Sequence, residues 1–294
     1  MIYRLLYILL GLMARIPYAV GQFLGRMLGA FFTMIPLKRI AISLGHIQKS
    51  FGDSMERAEA KKLNRRVLIH FGQMLFEVPH IMRLSHGNLS KYVVFNNEEN
   101  LLGAMEKGKG VFILTAHFGN WELMAAAIAL RFGAGEVVVR PIDFQALDQL
   151  MNNLRSRFGT DIIPKQRAMR RVMAAIKKNK VVGILLDQNV DWYEGVFVNF
   201  FGRWACTNKG LALMAIKTGT PVIPAFSVRQ RGGCYRIFFE KEIKLIRTGD
   251  KTRDLEDNTA LFTSIIEKYI RRYPDQWFWF HRRWKTRPYC QLPP

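Results

Sequence analysis

Cysteine is scarce in this sequence. Of 294 residues only Cys206, Cys234 and Cys290 are cysteines. They are odd in number and far apart, with no CxxC or Cys/His spacing. That excludes a disulfide framework and a zinc-finger type of site, and it fits a reducing compartment. Acidic residues are also few: 23 Asp+Glu stand against 44 Lys+Arg, a formal net charge of +21. Such a chain seeks anionic partners, whether nucleic acid, lipid headgroups, phosphorylated substrates or an acidic carrier protein. Several catalytic signatures are missing as well. There is no GxSxG nucleophile elbow and no HExxH zinc helix. "GAMEKGKG" begins like a phosphate loop, but Gly110 stands where Ser or Thr is needed, and the segment precedes its strand instead of following it.

What is present is apolar material. The composition is 49% hydrophobic and 12% aromatic, enough for a sizeable core, and no segment is polar enough to argue for long disorder. The N-terminal "MIYRLLYILLGLMARIPYAVGQFLGRMLGAFFTMIPLKR" is strongly apolar, yet no uncharged run in it reaches the ~18 residues of a clear spanning helix. Arg4, Arg15 and Arg26 recur at intervals of 11, and about 100° per residue would return them to one face of a helix. The pattern predicts an apolar membrane-anchoring helix lying in the headgroup region. A signal peptide fits the start but not the poor cleavage site "ARIPYA". A core helix of a soluble domain is the other reading. Residues 1–39 are therefore taken as a membrane-associated segment and 40–294 as one further domain. With Lys38 and Arg39 closing the segment, the positive-inside rule places that domain in the cytoplasm.

Beyond an amphipathic helix at 56–80, strands and helices alternate. Strands are expected at "GVFILTAH", "EVVVRP", "TDIIP", "VVGILLDQ", "TPVIPAFSV" and "YRIFFEKEI". Helices are expected at 121–132, 143–158, 167–178, 208–218 (capped by Thr207) and 257–272. In helix 167–178, Met169, Val172, Met173 and Ile176 form the inward face and the arginines and lysines the outward one. Continuously apolar strands alternating with helices predict an α/β fold with a mostly parallel central sheet flanked by helices.

Ligands of such sheets gather beyond the carboxyl ends of the strands. Three polar groups fall there on successive strands: His117, Arg140 and Asp187. Five residues after His117, Glu122 opens a helix, and the Gly119-Asn120 bend can fold the two together. Glu122 would then accept from one imidazole nitrogen and leave the other as a base. The bland reading is a helix-start carboxylate favoured by the dipole beside a histidine satisfied in the core. With no activated nucleophile, direct attack by a substrate hydroxyl is the natural scheme.

"HFGNWE" resembles the H-x4-E form of the H-x4-D/E motif of glycerolipid acyltransferases. "VVVRP", "LRSRFG", "LLDQN", "VFVNFFG", "TNKGLALMAIKTGTPVIP" and "WFWFHRRWKTRP" extend the resemblance to the bacterial lipid A biosynthesis (late) acyltransferases, from the N-terminus almost to residue 290. The resemblance implies an α/β domain on the cytoplasmic side of the inner membrane. It implies transfer of a fatty acyl chain from acyl carrier protein to a hydroxyl of a lipid A precursor, with no metal and no organic cofactor. Carried over by position, His117 is the general base and Glu122 its partner. Arg155 and Asp187 match the family's other functional polar positions, and Arg140 the arginine after its second strand.

A bisphosphorylated glycolipid and an acidic carrier suit a +21 chain. The basic face of helix 167–178 can dock the carrier or simply be solvated. The aromatic-basic tail can lie at a membrane surface or place Trp277 and Trp279 in the core, and His281 there reads as structural. Two alternatives keep the chemistry: acyl-CoA as donor, or a phosphoinositide mannoside or ornithine-type lipid as acceptor. A basic nucleic-acid-binding protein is the alternative from another class, disfavoured by the apolar N-terminus.

Overall fold

The computed structural model describes residues 1–288; Cys290 lies outside them. The chain opens with four helices: α1 (Ile2–Met13), α2 (Tyr18–Phe32), α3 (Lys38–Phe51) and α4 (Arg57–Glu77). There follow β1 (Val93–Asn96), α5 (Glu98–Glu106), β2 (Val111–Thr115), α6 (Trp121–Phe132), β3 (Glu136–Val139), α7 (Gln145–Arg155) and β4 (Asp161–Pro164). Next come α8 (Ala168–Lys177), β5 (Val181–Leu185), β6 (Gly195–Phe200), β7 (Arg203–Asn208) and α9 (Gly210–Thr218). β8 (Val222–Arg229), β9 (Tyr235–Phe239) and α10 (Lys251–Arg272) complete the order.

Seven strands form one sheet in the order β1-β9-β8-β2-β5-β3-β4. All its pairings are parallel except β8 with β9. β2 is buried along its whole length, and the two-residue period of a strand divides it between two cores. Phe112 and Leu114 face α8, α9 and α10, whereas Val111 and Ile113 face α5 and α6. The expected α/β class, with a mostly parallel sheet flanked by helices, is what forms. α6 keeps the bounds read from its sequence, with Asn120 as the cap whose side chain accepts from Leu123 N. α10 starts earlier than 257 because Asp250 caps it, accepting from the backbone of Thr252 and Arg253.

The N-terminal segment differs from the expected single helix. It is two helices bent by 114°, because Pro17 disfavours helical backbone at Ile16. Arg15 falls in the break, so the three arginines do not share a helical stripe. Among the described residues no single helix is long and apolar enough to cross a membrane. α2 packs on α4 at backbone contact: a Cβ on Gly25 would lie 2.5 Å from Gln73 Cα, and one on Gly29 2.3 Å from Leu68 O.

Three smaller expectations fail. Thr207 does not cap α9; the cap position is Lys209, and Asn208 Oδ1 accepts from Gly210 N. Met169 is exposed, while Ala175 joins Val172 and Ile176 in the core. The β6–β7 hairpin was not anticipated; its two-residue loop puts Phe201 and Gly202 both at positive φ, the geometry of a type I′ turn. Trp277 and Trp279 are buried, at 1% and 0% exposure, so the tail belongs to the core on that side.

Burial lowers the pKa of His46, His70, His80 and His281, the last to about 4. The unfolded chain protonates these imidazoles as pH falls through about 6.5, while the folded chain keeps them neutral to lower pH. Stability from these groups is therefore complete above 6.5 and is lost as pH falls toward the folded values. The melting temperature of the purified protein in detergent should decline steadily from about pH 7 to pH 5; a flat profile over that window would contradict neutral burial.

Candidate active site

β2, β5 and β3 lie side by side, so the residues after them converge as expected. His117 follows β2, Asp187 follows β5 and Arg140 follows β3. His117 and Asp187 touch: His117 Nδ1 is 2.8 Å from Asp187 Oδ1. The His117 backbone N–H donates to Asp187 Oδ2 at 3.1 Å, and the Trp277 indole N–H donates to the same oxygen at 2.8 Å. Burial opposes ionisation of Asp187, but the adjacent imidazole and these donors outweigh it and hold its pKa at about 2. A carboxylate at Nδ1 places the neutral imidazole's proton there and leaves the lone pair on Nε2.

The expected His117–Glu122 contact does not form. Glu122 instead takes Arg155 in a two-pronged pair, Nε to Oε2 at 2.9 Å and Nη2 to Oε1 at 2.5 Å. Both side chains are largely buried, at 8% and 15% exposure. Burial would lower the Arg155 pKa, but the bond to Glu122 more than compensates and raises it. Glu122 reaches His117 only through Trp121, whose indole N–H donates to Glu122 Oε1 at 3.1 Å and whose ring lies edge-on to the imidazole at 5.1 Å. Asp187, expected to bind substrate, is 4% exposed, and its oxygens take His117 and Trp277.

Gln188 was missed by sequence reading. Its carboxamide nitrogen lies 3.2 Å from His117 Nε2 and 3.3 Å from Nδ1, against the imidazole ring as a whole. The only signal was its place beside Asp187 after β5. His281, expected to be structural, also lines the adjoining cleft, and Asn189 N–H donates to its Nε2 at 2.9 Å.

These groups border a cleft of about 1220 Å³. His117, Glu122 and Arg155 line it together with Gln188; Leu10 and Met13 of α1 form part of its wall, and Arg140 stands at its rim. The Arg140 side chain is 72% exposed, with Asp143 at 3.8 Å. Among the described residues no group of three or more His, Cys, Asp or Glu is placed to hold a metal ion.

A family model described as bacterial lipid A biosynthesis acyltransferase matches residues 1–286. The chain is 26% identical over 281 residues to a lipid A biosynthesis palmitoleoyltransferase of Escherichia coli, covering 95% of this chain and 89% of the relative. It is 25% identical over 284 residues to a lipid A biosynthesis lauroyltransferase of the same organism, covering 95% and 90%. A phosphatidylinositol mannoside acyltransferase of Mycolicibacterium smegmatis is 22% identical over 230 residues, covering 76% of this chain and 72% of that one.

The geometry separates the two carboxylates. In proton NMR spectra the His117 Nδ1 proton should resonate far downfield, as for a charge-assisted bond. Asp187→Asn should abolish that signal, and Glu122→Gln should leave it in place. Loss in Glu122→Gln with retention in Asp187→Asn would restore Glu122 as the partner.

Proposed function

The chain belongs to the bacterial lipid A biosynthesis acyltransferase family and is an acyltransferase, and on that premise we propose that it moves a fatty acyl chain from acyl carrier protein to a hydroxyl of a lipid A precursor, with His117 as general base. The observation that carries this assignment is the buried Asp187 carboxylate on His117 Nδ1, 2.8 Å away, at the edge of the cleft. The acceptor hydroxyl gives its proton to Nε2 as its oxygen attacks the thioester carbonyl. A C–O bond forms, the tetrahedral intermediate collapses, the C–S bond breaks, and His117 returns the proton to the leaving thiolate. Asp187 holds the tautomer and stabilises the transient imidazolium. Glu122 fixes Arg155 and Trp121 beside the reacting centre. Arg155 and Arg140 supply positive charge for the oxyanion and for anionic groups of the substrates. The scheme uses no metal and no organic cofactor.

A narrower apolar crevice of about 60 Å³ runs from Trp121 and Ala125 between α6 and the sheet, past Met124, Ile128 and Gly183. That space is too small for a fatty acyl chain, so we assign the donor's chain to the main cleft, whose wall carries Leu10, Met13, Leu150 and Met151. Residues 1–39 form the membrane-associated segment and 40–294 the catalytic domain, on the cytoplasmic face of the inner membrane. In support, α1 and α2 expose Leu5, Ile8, Leu9, Leu12, Phe23, Met27 and Phe31, with Arg4 and Arg26 also exposed. A large apolar surface rimmed by cations is what an interfacial element presents.

Purified protein incubated with labelled acyl–acyl carrier protein and a tetra-acylated lipid A precursor should add one acyl chain, read by mass spectrometry. His117→Ala should lower the rate by about 10²–10⁴-fold. No transfer to any lipid, or an undiminished rate in His117→Ala, would overturn the assignment. Transfer to a mannosylated phosphoinositide alone, or from acyl-CoA alone, would redirect it to that acceptor or donor.

Replacing Leu5, Phe23 and Met27 together by Glu should strongly reduce co-sedimentation with phosphatidylglycerol-containing vesicles while leaving the melting temperature nearly unchanged. Undiminished sedimentation would locate the docking face elsewhere.

A further inference from the structure

A second polar cluster lies behind the turn that carries His117. His70 on α4 is 3% exposed and Glu77, two turns further on, is 1% exposed. Arg229, at the end of β8, donates both terminal nitrogens to the two Glu77 oxygens. The Tyr235 hydroxyl donates to Glu77 at 2.8 Å, Gln22 at 3.2 Å and Asn120 at 3.4 Å. Arg229 Nε–H then points at His70 Nδ1, 3.2 Å away. A guanidinium can only donate, so Nδ1 must accept and the His70 proton sits on Nε2. That nitrogen lies 3.2 Å from the Gly119 carbonyl, to which it donates.

Gly119 is the pivot of the turn. It stands at φ +58°, and a Cβ there would lie 1.6 Å from Ser227 O. Its N–H donates to Gln276 O at 2.8 Å, and its carbonyl takes His70. Asn120 beside it is held by Glu77 and caps α6. Both residues after Phe118 are thus gripped from outside the turn, two and three positions from the proposed base.

Resting on the reading of His117 as base, we propose that His70 is a positioning residue for acyl transfer: its Nε2–H clamps the Gly119 carbonyl, with the tautomer imposed by the Glu77–Arg229 pair, and so fixes where the strand end presents His117. His70 does not touch the substrate cleft's reacting groups; it acts through the backbone. Burial, reinforced by the Arg229 charge, keeps it neutral, which the clamp requires because a protonated ring would turn a donor toward Arg229. A misplacement of about 1 Å at a reacting group lowers rates roughly 10²-fold, so a backbone clamp this close to the base reads out in kcat.

The test compares two polar replacements in the full-length protein. His70→Gln can place an amide N–H where Nε2 stands; His70→Asn is too short. Expected are near-normal kcat in His70→Gln, and in His70→Asn a kcat reduced by roughly 10–10²-fold with KM for acyl–acyl carrier protein little changed. A merely structural histidine would change the melting temperature of both variants and leave kcat per folded molecule alike in both. Wild-type protein supplies a variant-free check: ¹⁵N spectra of its six histidines should show His70 as the neutral Nε2–H tautomer between about pH 5 and pH 8. An Nδ1–H tautomer, a cationic ring, or equal kcat in both variants would overturn the inference. His117→Ala run in parallel separates the two readings. If it is inactive while His70→Asn is fully active, only the clamp falls; if it is fully active, both fall.

Discussion

A carboxylate with almost no contact with water must have its oxygens occupied, or the charge is not tolerated. Asp187, at 4% exposure, draws its donors from two remote pieces of the chain: the end of β2 through His117, and the C-terminal tail through Trp277. That requirement organises the cleft. It brings β2 and β5 into register, and Leu186 N–H continues their ladder to Thr115 O at 3.0 Å. It also folds the tail back, where Phe118 bridges Trp277, Phe278 N–H donates to His117 O and Gly119 N–H to Gln276 O. The imidazole is thus held through its ring, its backbone N–H and its backbone carbonyl.

The tail illustrates how a basic segment can serve the interior. Arg283 is fully buried and faces carbonyl and hydroxyl oxygens of Cys206, Gln188 and Thr207, with Phe200 beneath it. Among the described residues no carboxylate pairs with it, and burial brings its pKa down to about 10. A guanidinium is suited to such a place because its planar donors satisfy several oxygens at once and it sheds water more readily than an ammonium. One of the charges counted in the +21 is therefore a tie between the tail and the β6–β7 hairpin. Net charge argued for an anionic partner; it could not say which cations face one.

What the sequence disclosed follows the range of the interaction. α6, the central strands and the alternation that makes the sheet parallel depend on neighbours a few residues apart, and they were legible. So was the convergence of His117, Arg140 and Asp187, because strand ends of a parallel sheet share one edge. Partner choice within that edge was not. The nearest carboxylate along the chain, Glu122, is five residues from His117, whereas the one that binds it is 70 residues away. Glu122 in turn answers Arg155, 33 residues away. The resemblance picked out Arg155 and Asp187 as positions but gave no pairing. The bend at Pro17 was legible and was overridden by an arginine periodicity that assumed an unbroken helix. The Phe201-Gly202 turn hid behind a large residue in a conformation that favours glycine.

α2 joins the proposed docking surface to the proposed site within one helix. Its outward face carries Phe23, Met27 and Phe31, and its inward face Gly21, Gly25 and Gly29. The three- and four-residue spacings of a helix separate the two sets. The glycines let α2 rest on the α4 backbone, where any side chain at 25 or 29 would collide. That close approach brings Gln22 to Glu77, the carboxylate that receives Arg229 and Asn120. α1 continues the arrangement, since Leu10 and Met13 wall the cleft while Leu5 and Ile8 face outward. The N-terminal helices are therefore built into the half of the molecule that carries the proposed site. Removing them would strip a wall from the cleft and a donor from Glu77, so substitutions confined to the outward face are what isolate membrane docking from the integrity of the site.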